Sequence, residues 1–181
     1  MGWKVIKFLF LFSLNNRHNL FFRLLLKDAY LLRYEFQVYR FVTPIFLHAD
    51  LSHILMNVVV QLMIGSSVEA SLGPLKFLIL YFVAGIGGNL FSALCSDTNS
   101  VGASTSIFGL IGCYIAFIAI NWSHLRQNSD KFCRTLIYLA LSLFISSSLG
   151  AFSNVDVMGH LGGFITGGLC GLILLEQIST G

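Results

Sequence analysis

Charge is what this chain lacks most. Charged residues fill 10% of its 181 positions, against roughly a quarter in ordinary soluble domains. A soluble fold of this length can bury a core, but it cannot cover that core with so few polar groups. A soluble globular class is therefore excluded. The net charge of +3 is scattered, and the lack of a basic cluster argues against a nucleic-acid partner. The four cysteines, Cys95, Cys113, Cys133 and Cys170, sit in or beside apolar runs without metal-ligand spacing. They read as packing residues, and no metal is expected. No low-complexity linker divides the chain, so one domain is expected over residues 1–181.

What fills the space is apolar. Hydrophobic residues reach 56% and the mean hydropathy is +0.80. Five runs carry no Asp, Glu, Lys or Arg: Leu51–Val68, Phe77–Ser96, Thr98–Leu125, Thr135–Val155 and Val157–Leu175. Each has about the length of a membrane-crossing helix, roughly 17–25 residues. They predict an all-α, polytopic membrane protein in contact with the lipid bilayer.

Before these runs lie two different segments. Residues 1–14 hold Lys4 and Lys7 ahead of a short apolar stretch, with no small-residue cleavage site after it. They are expected to form a short or truncated first span. Residues 15–43 interleave Arg17, Arg23, Lys27, Arg33 and Arg40 with seven aromatics. Such a pattern lies in the interface, so a partly helical loop with its cations at the headgroups is expected; a plain cytosolic loop is the alternative. Residues 44–175 then supply spans two to six.

Pro44 breaks any preceding helix, and Asp50 or Ser52 is a suitable N-cap for the next. His53 and Asn57, four apart, share a helix face, with Gln61 one turn further. That span is expected to end in the stretch from Gly65 to Pro74, where glycine and proline stop helices. Lys76, Arg126, Lys131 and Arg134 flank two of the later loops, whereas residues 97–100 and 153–156 hold no Lys or Arg. The positive-inside rule then places the N-terminal ends of spans two, four and six on the extracellular or lumenal side. The basic residues of 15–43 fall on that same side, against the rule's trend.

Those three ends carry His53 with Asn57, Ser104, and His160. Ionisable residues within a membrane are costly and mark functional sites by default. Ser104 read alone is a common helix cap, and His160 read alone is as often structural. Together they suggest a nucleophile and its base, since a serine hydroxyl needs a base to take its proton and an imidazole titrates near neutrality. No carboxylate is expected one helical turn from His160, so a dyad is expected rather than a triad. His53, Asn57 and the Ser104 backbone N–H are expected to stabilise an oxyanion. Ser106 points about 160° away from Ser104 on a helix and is discounted. Thr105, Gly109, Gly112 and Ala116 form one small-residue stripe, and Gly163, Gly167 and Gly171 another. Such stripes let membrane helices approach closely.

At these residues the chain resembles the rhomboid intramembrane serine proteases. His48, His53 and Asn57 match the family's histidine–asparagine signature, and Gly102-Ala103-Ser104 its Gly-x-Ser motif. Gly159-His160, followed by Gly163 and Gly167, matches the base motif. Tyr39-Arg40 stands for the loop Trp-Arg, and Glu69 with Gly73 for the helix-ending pair. The resemblance, over about Lys27 to Leu175, implies a six-helix bundle with Ser104 as nucleophile and His160 as base. It also implies Phe108 stacked under His160 where many members have tyrosine, single-pass transmembrane proteins as substrates, and neither cofactor nor metal. Thr105 departs from the glycine that often follows the serine, which would crowd the oxyanion site. An inactive relative that binds transmembrane clients is the alternative. A transporter would need internal repeats or helices broken near mid-bilayer, which this sequence does not offer.

Overall fold

A computed structural model describes residues 20–127, 129–150 and 155–175. The short first span expected over 1–14 lies outside the described residues, as do residues 151–154 at the end of the fifth. The described elements are α1 (Leu20–Leu25), α2 (Ala29–Tyr34), two 3-10 turns (Val38–Phe41 and Thr43–Phe46), α3 (Leu51–Leu72), α4 (Pro74–Cys95), α5 (Ser104–Ile120), α6 (Trp122–Gln127), α7 (Ser129–Gly150) and α8 (Val157–Leu174). The fold is that of an all-α polytopic membrane protein. The five expected spans correspond in order to α3, α4, α5, α7 and α8. Three of them, α3, α4 and α8, are long and apolar enough to cross a bilayer, while α5 is shorter at 17 residues.

Helix α3 starts where Asp50 caps it, the carboxylate accepting the His53 N–H at 2.8 Å. It runs past Gly65, the first residue of the stretch in which its end is expected. Gly65 keeps right-handed helical geometry (φ −59°) inside a wider turn, Gln61–Gly65, and the helix continues to Leu72. The true stop is Gly73, whose φ of +77° favours glycine and whose N–H caps the Glu69 carbonyl. Pro74 then opens α4, at a position where its missing N–H costs nothing.

Helix α8 is arranged inside out relative to a soluble helix. Gly159, Gly162, Gly163, Gly167 and Gly171 face inward, while Leu161, Ile165, Leu169, Leu172 and Ile173 are exposed. Lipid tails are as apolar as leucine, so membrane helices associate through small residues that bring backbones together. The two stripes meet in this way. A Cβ on Gly163 would stand 2.1 Å from the Thr105 carbonyl oxygen, and one on Gly167 equally near that of Gly109. Gly112 on α5 is as tight against Phe164 of α8, at 2.2 Å. Around this contact Val60, Ile64, Leu80, Ile107, Leu110 and Ile111 form the core.

The segment before α3 departs from its expected role. Lys27 and Arg40 are buried rather than held at headgroups. Arg40 donates to the carbonyls of Arg23 (3.1 Å) and Leu26 (2.6 Å) and to Gln37 Oε1 (2.7 Å). Lys27 pairs with Asp156 at 3.3 Å, and Arg33 pairs with Asp97. A guanidinium or ammonium enters an interior when fixed acceptors replace its water. These contacts join the segment to residues 97–100 and to the start of α8, at the end where Ser104 and His160 lie. Of the segment's five cations, Lys27 and Arg33 are matched by carboxylates, and Arg40 is held by neutral acceptors.

Candidate active site

Ser104 is the first residue of α5, and His160 lies in the first turn of α8. The glycine contact between these helices brings the two side chains together, with His160 Nε2 2.9 Å from Ser104 Oγ. Phe108, one turn after Ser104, lies flat beneath the imidazole: ring centroids are 4.2 Å apart with 13° between the planes. The ring is therefore held by a hydrogen bond at its tip and an aromatic face below. If His160 takes the Ser104 proton at Nε2, its other nitrogen carries the hydrogen.

Gly102 supplies the bend into α5. Its φ of +135° is one that side chains rarely adopt, and its N–H donates to the Pro44 carbonyl at 2.9 Å. A Cβ here would lie 2.8 Å from His53 Cε1 and 3.4 Å from Ser104 Oγ. The His53 ring and the Ser104 hydroxyl thus flank one glycine, and any larger residue would fill the space between them. The Ala49 N–H donates to His53 Nδ1 at 3.4 Å. Asn57, one turn deeper, is buried, and its amide nitrogen has no acceptor among the described residues. A buried donor left unpaired costs about 1–3 kcal/mol, so this one has a cause to be sought in function. The first N–H groups of α5 lack intrahelical acceptors by geometry and carry the positive end of the helix dipole.

Other predicted residues fall as follows. Gly163 and Gly167 form the α5 contact. Thr105 turns its side chain into the space left by Gly88 and Gly159, between α4 and α8, so it packs there rather than crowding the Ser104 hydroxyl. Ser106 is wholly buried against Gly85 of α4. His48 is buried, its ring edge-on to His53 at 5.3 Å. Burial, aided by the neighbouring His53, lowers its pKa to about 3, which keeps it neutral. Among the described residues no three His, Cys, Asp or Glu side chains gather into a metal-holding group.

Asp156 corrects the expectation that no carboxylate stands one helical turn from His160, since it is the N-cap residue of α8, four residues before the histidine. Its signal is its place one helical turn before His160. Its carboxylate accepts from the Gly159 N–H (2.8 Å), from Ser92 (2.6 Å) and Ser100 (2.7 Å), and from Lys27 (3.3 Å). Burial alone would raise its pKa, but these donors, Ser92 and Ser100 foremost, hold it below the usual carboxylate value. The carboxylate caps α8, and among the described residues its hydrogen bonds go to these four donors rather than to the imidazole.

Comparison with known proteins adds to this geometry. The family model described as Rhomboid domain matches residues 35–177. Rhomboid-like protease 1 of Toxoplasma gondii is 39% identical over 145 residues, covering 79% of this chain and 49% of that protein. Rhomboid-like protease 3 of the same organism is 40% identical over 134 residues, covering 74% and 50%. RHOMBOID-like protein 4 of Arabidopsis thaliana is 38% identical over 138 residues, covering 76% and 34%. The chain spans half the length or less of these relatives.

Proposed function

The chain belongs to the rhomboid family, and from that premise we propose that it is an intramembrane serine endopeptidase working through a Ser104–His160 dyad. The observation that carries the reading is the 2.9 Å approach of His160 Nε2 to Ser104 Oγ at the joined ends of two membrane helices. His160 takes the hydroxyl proton as Ser104 Oγ attacks a peptide carbonyl. The oxyanion so formed is met by the Asn57 amide, the His53 ring and the Ser104 N–H. His160 then gives its proton to the leaving amine, and water, activated by the same imidazole, releases the acyl group. The dyad sits at a helix end rather than at mid-helix, so water reaches it from one membrane face. The charge rule makes that face extracellular or lumenal. The substrates are transmembrane segments of single-pass proteins, whose backbone must leave helical form to expose a carbonyl to Ser104.

The names of the curated relatives agree with a protease, and the intact serine and histidine favour activity over the client-binding alternative. The test is co-reconstitution in liposomes with a panel of single-pass segments carrying fluorescent domains at both ends. Two fragments from at least one segment, absent with Ser104→Ala, are expected. Intact segments throughout, with folded protein, would move the reading to client binding without cleavage.

A further inference from the structure

Around Asp156 four separate parts of the chain meet, and only two of them carry the dyad. Gly159 is adjacent to His160. Ser100 is four residues before Ser104 and leads straight into Gly102. Ser92 is on α4, and Lys27 lies in the segment before α3. The carboxylate accepts a hydrogen bond from each, and Lys27 also donates to Ser92 at 2.6 Å. Lys27 and Ser100 exchange two backbone hydrogen bonds, at 2.9 and 3.2 Å. Lys27 and Ser92 are wholly buried and Asp156 nearly so. Among the described residues no side-chain hydrogen bond joins this cluster to Ser104 or His160, and the Asp156 carboxylate acts on the His160 ring only through space.

We propose that Asp156 is a positioning residue for the dyad, its carboxylate tying the segment that leads to Ser104, through Ser100, to the first turn of the helix that carries His160. This rests on the protease reading above. The Gly159 arm fixes the start of α8, and the Ser100 arm fixes the approach to α5. The glycine contact at Gly163 sets the spacing of the two helices at Thr105, but it does not hold the residues that lead into Ser104 from Ser100. One carboxylate bound to Ser100 and to the start of α8 does. Lys27 keeps the carboxylate charged within the interior, where an ionised acceptor makes the stronger bonds. Ser92 anchors the cluster to α4, which carries neither member of the dyad.

The two serine arms therefore separate positioning from plain stability. Both hydroxyls donate to the same carboxylate at nearly the same distance, but Ser92 is wholly buried and also accepts from Lys27, whereas Ser100 is half-buried, so Ser92→Ala should lower the unfolding temperature at least as much as Ser100→Ala. Only Ser100→Ala should loosen the dyad. The measurement is the reaction of a fluorophosphonate probe with purified full chain in detergent, at a temperature where every variant is folded. The maximal inactivation rate (kinact) and the half-saturating probe concentration (KI) are read separately. Ser100→Ala should lower kinact roughly 5- to 30-fold with KI unchanged, in line with the sensitivity of reacting groups to displacements of about an ångström. Ser92→Ala should stay within about twofold. Asp156→Asn, which can keep the Gly159 bond at Oδ1 and hold Ser100 by donating from its amide nitrogen to the hydroxyl in place of accepting at Oδ2, should keep more of kinact than Asp156→Ala. If Asp156→Ala fails to fold, the serine pair alone decides. Equal kinact for the two serine variants, in a wild type that labels, overturns the positioning role and leaves the protease reading intact. A folded wild type that does not label overturns the protease reading, and this inference falls with it.

Discussion

A single methyl group at Gly163 offers a stringent perturbation of the site. Built onto the existing backbone, the Cβ of Gly163→Ala would sit 2.1 Å from the Thr105 carbonyl oxygen and 3.0 Å from the carbonyl carbon. Ordinary contact begins near 3.4 Å, so α5 and α8 must separate by about 1.3 Å, because backbone atoms have no rotamer by which to yield. Thr105 follows Ser104 and Gly163 is one turn from His160, so the separation passes directly to the dyad. An opening of that size carries the Ser104–His160 distance from 2.9 Å to about 4 Å, beyond hydrogen-bond range. A misplacement near 1 Å costs on the order of 100-fold in rate, and overpacking costs about 1–3 kcal/mol in stability. Gly168→Ala is the matched control on the same helix, since its Cβ would meet nothing closer than 3.7 Å. Probe-labelling rates, read beside thermal unfolding in detergent, should show Gly163→Ala folded but about 100-fold slower and Gly168→Ala close to wild type. A folded Gly163→Ala protein reacting at the wild-type rate would refute the claim that this contact sets the dyad.

Other consequences are as specific. Ser104→Ala and His160→Ala should each abolish cleavage, with the double variant scarcely worse than either alone, because the two groups act as one unit; turnover measurements in liposomes would show it. Asn57→Ala and His53→Ala should each slow reaction about 10- to 1000-fold, the range for a lost oxyanion donor, and a loss under twofold for Asn57→Ala would remove it from that role. Arg40→Leu leaves the Arg23 and Leu26 carbonyls without their donor, and calorimetry should find roughly 2–4 kcal/mol lost, partly recovered in Arg40→Lys. His48 gives a pH signature. Its folded pKa of about 3 lies below the unfolded value of 6.5, so the unfolded chain binds the proton more readily. The stability from keeping His48 neutral is complete above pH 6.5 and falls by about 1.4 kcal/mol per unit as pH drops from there toward 3. His48→Asn should flatten that part of the unfolding curve.

Much of this architecture is legible in the sequence because a membrane writes it in composition. Charge-free runs locate α3, α4, α5, α7 and α8, and the spacing of His53 with Asn57 places both on one helix. The two glycine stripes announce a close helix pair, although only the folded chain shows that the Gly163 and Thr105 backbones touch. Helix α3 ends within the expected stretch, at Gly73, while Gly65 at the start of that stretch keeps a helical backbone and lies against Phe77 and Leu110. The departures have physical causes. Lys27 and Arg40 read as interfacial cations because their acceptors, Asp156 and the carbonyls of Arg23 and Leu26, are set by tertiary folding. Asp156 contradicts the expectation of no carboxylate one turn from His160: it reads as the end of an acidic turn, whereas in the fold it is the N-cap of the helix that carries His160. Thr105 reads as an obstruction beside Ser104, but the space vacated by Gly88 and Gly159 receives its side chain.

The central claim is that Ser104 is a nucleophile activated by His160. Its most direct test is labelling of the purified, membrane-embedded protein with a fluorophosphonate serine probe, wild type beside Ser104→Ala and His160→Ala. The account predicts stoichiometric labelling of the wild type and none in either variant, with all three equally folded. Labelling that survives in Ser104→Ala, or a folded wild type that never reacts, would contradict it.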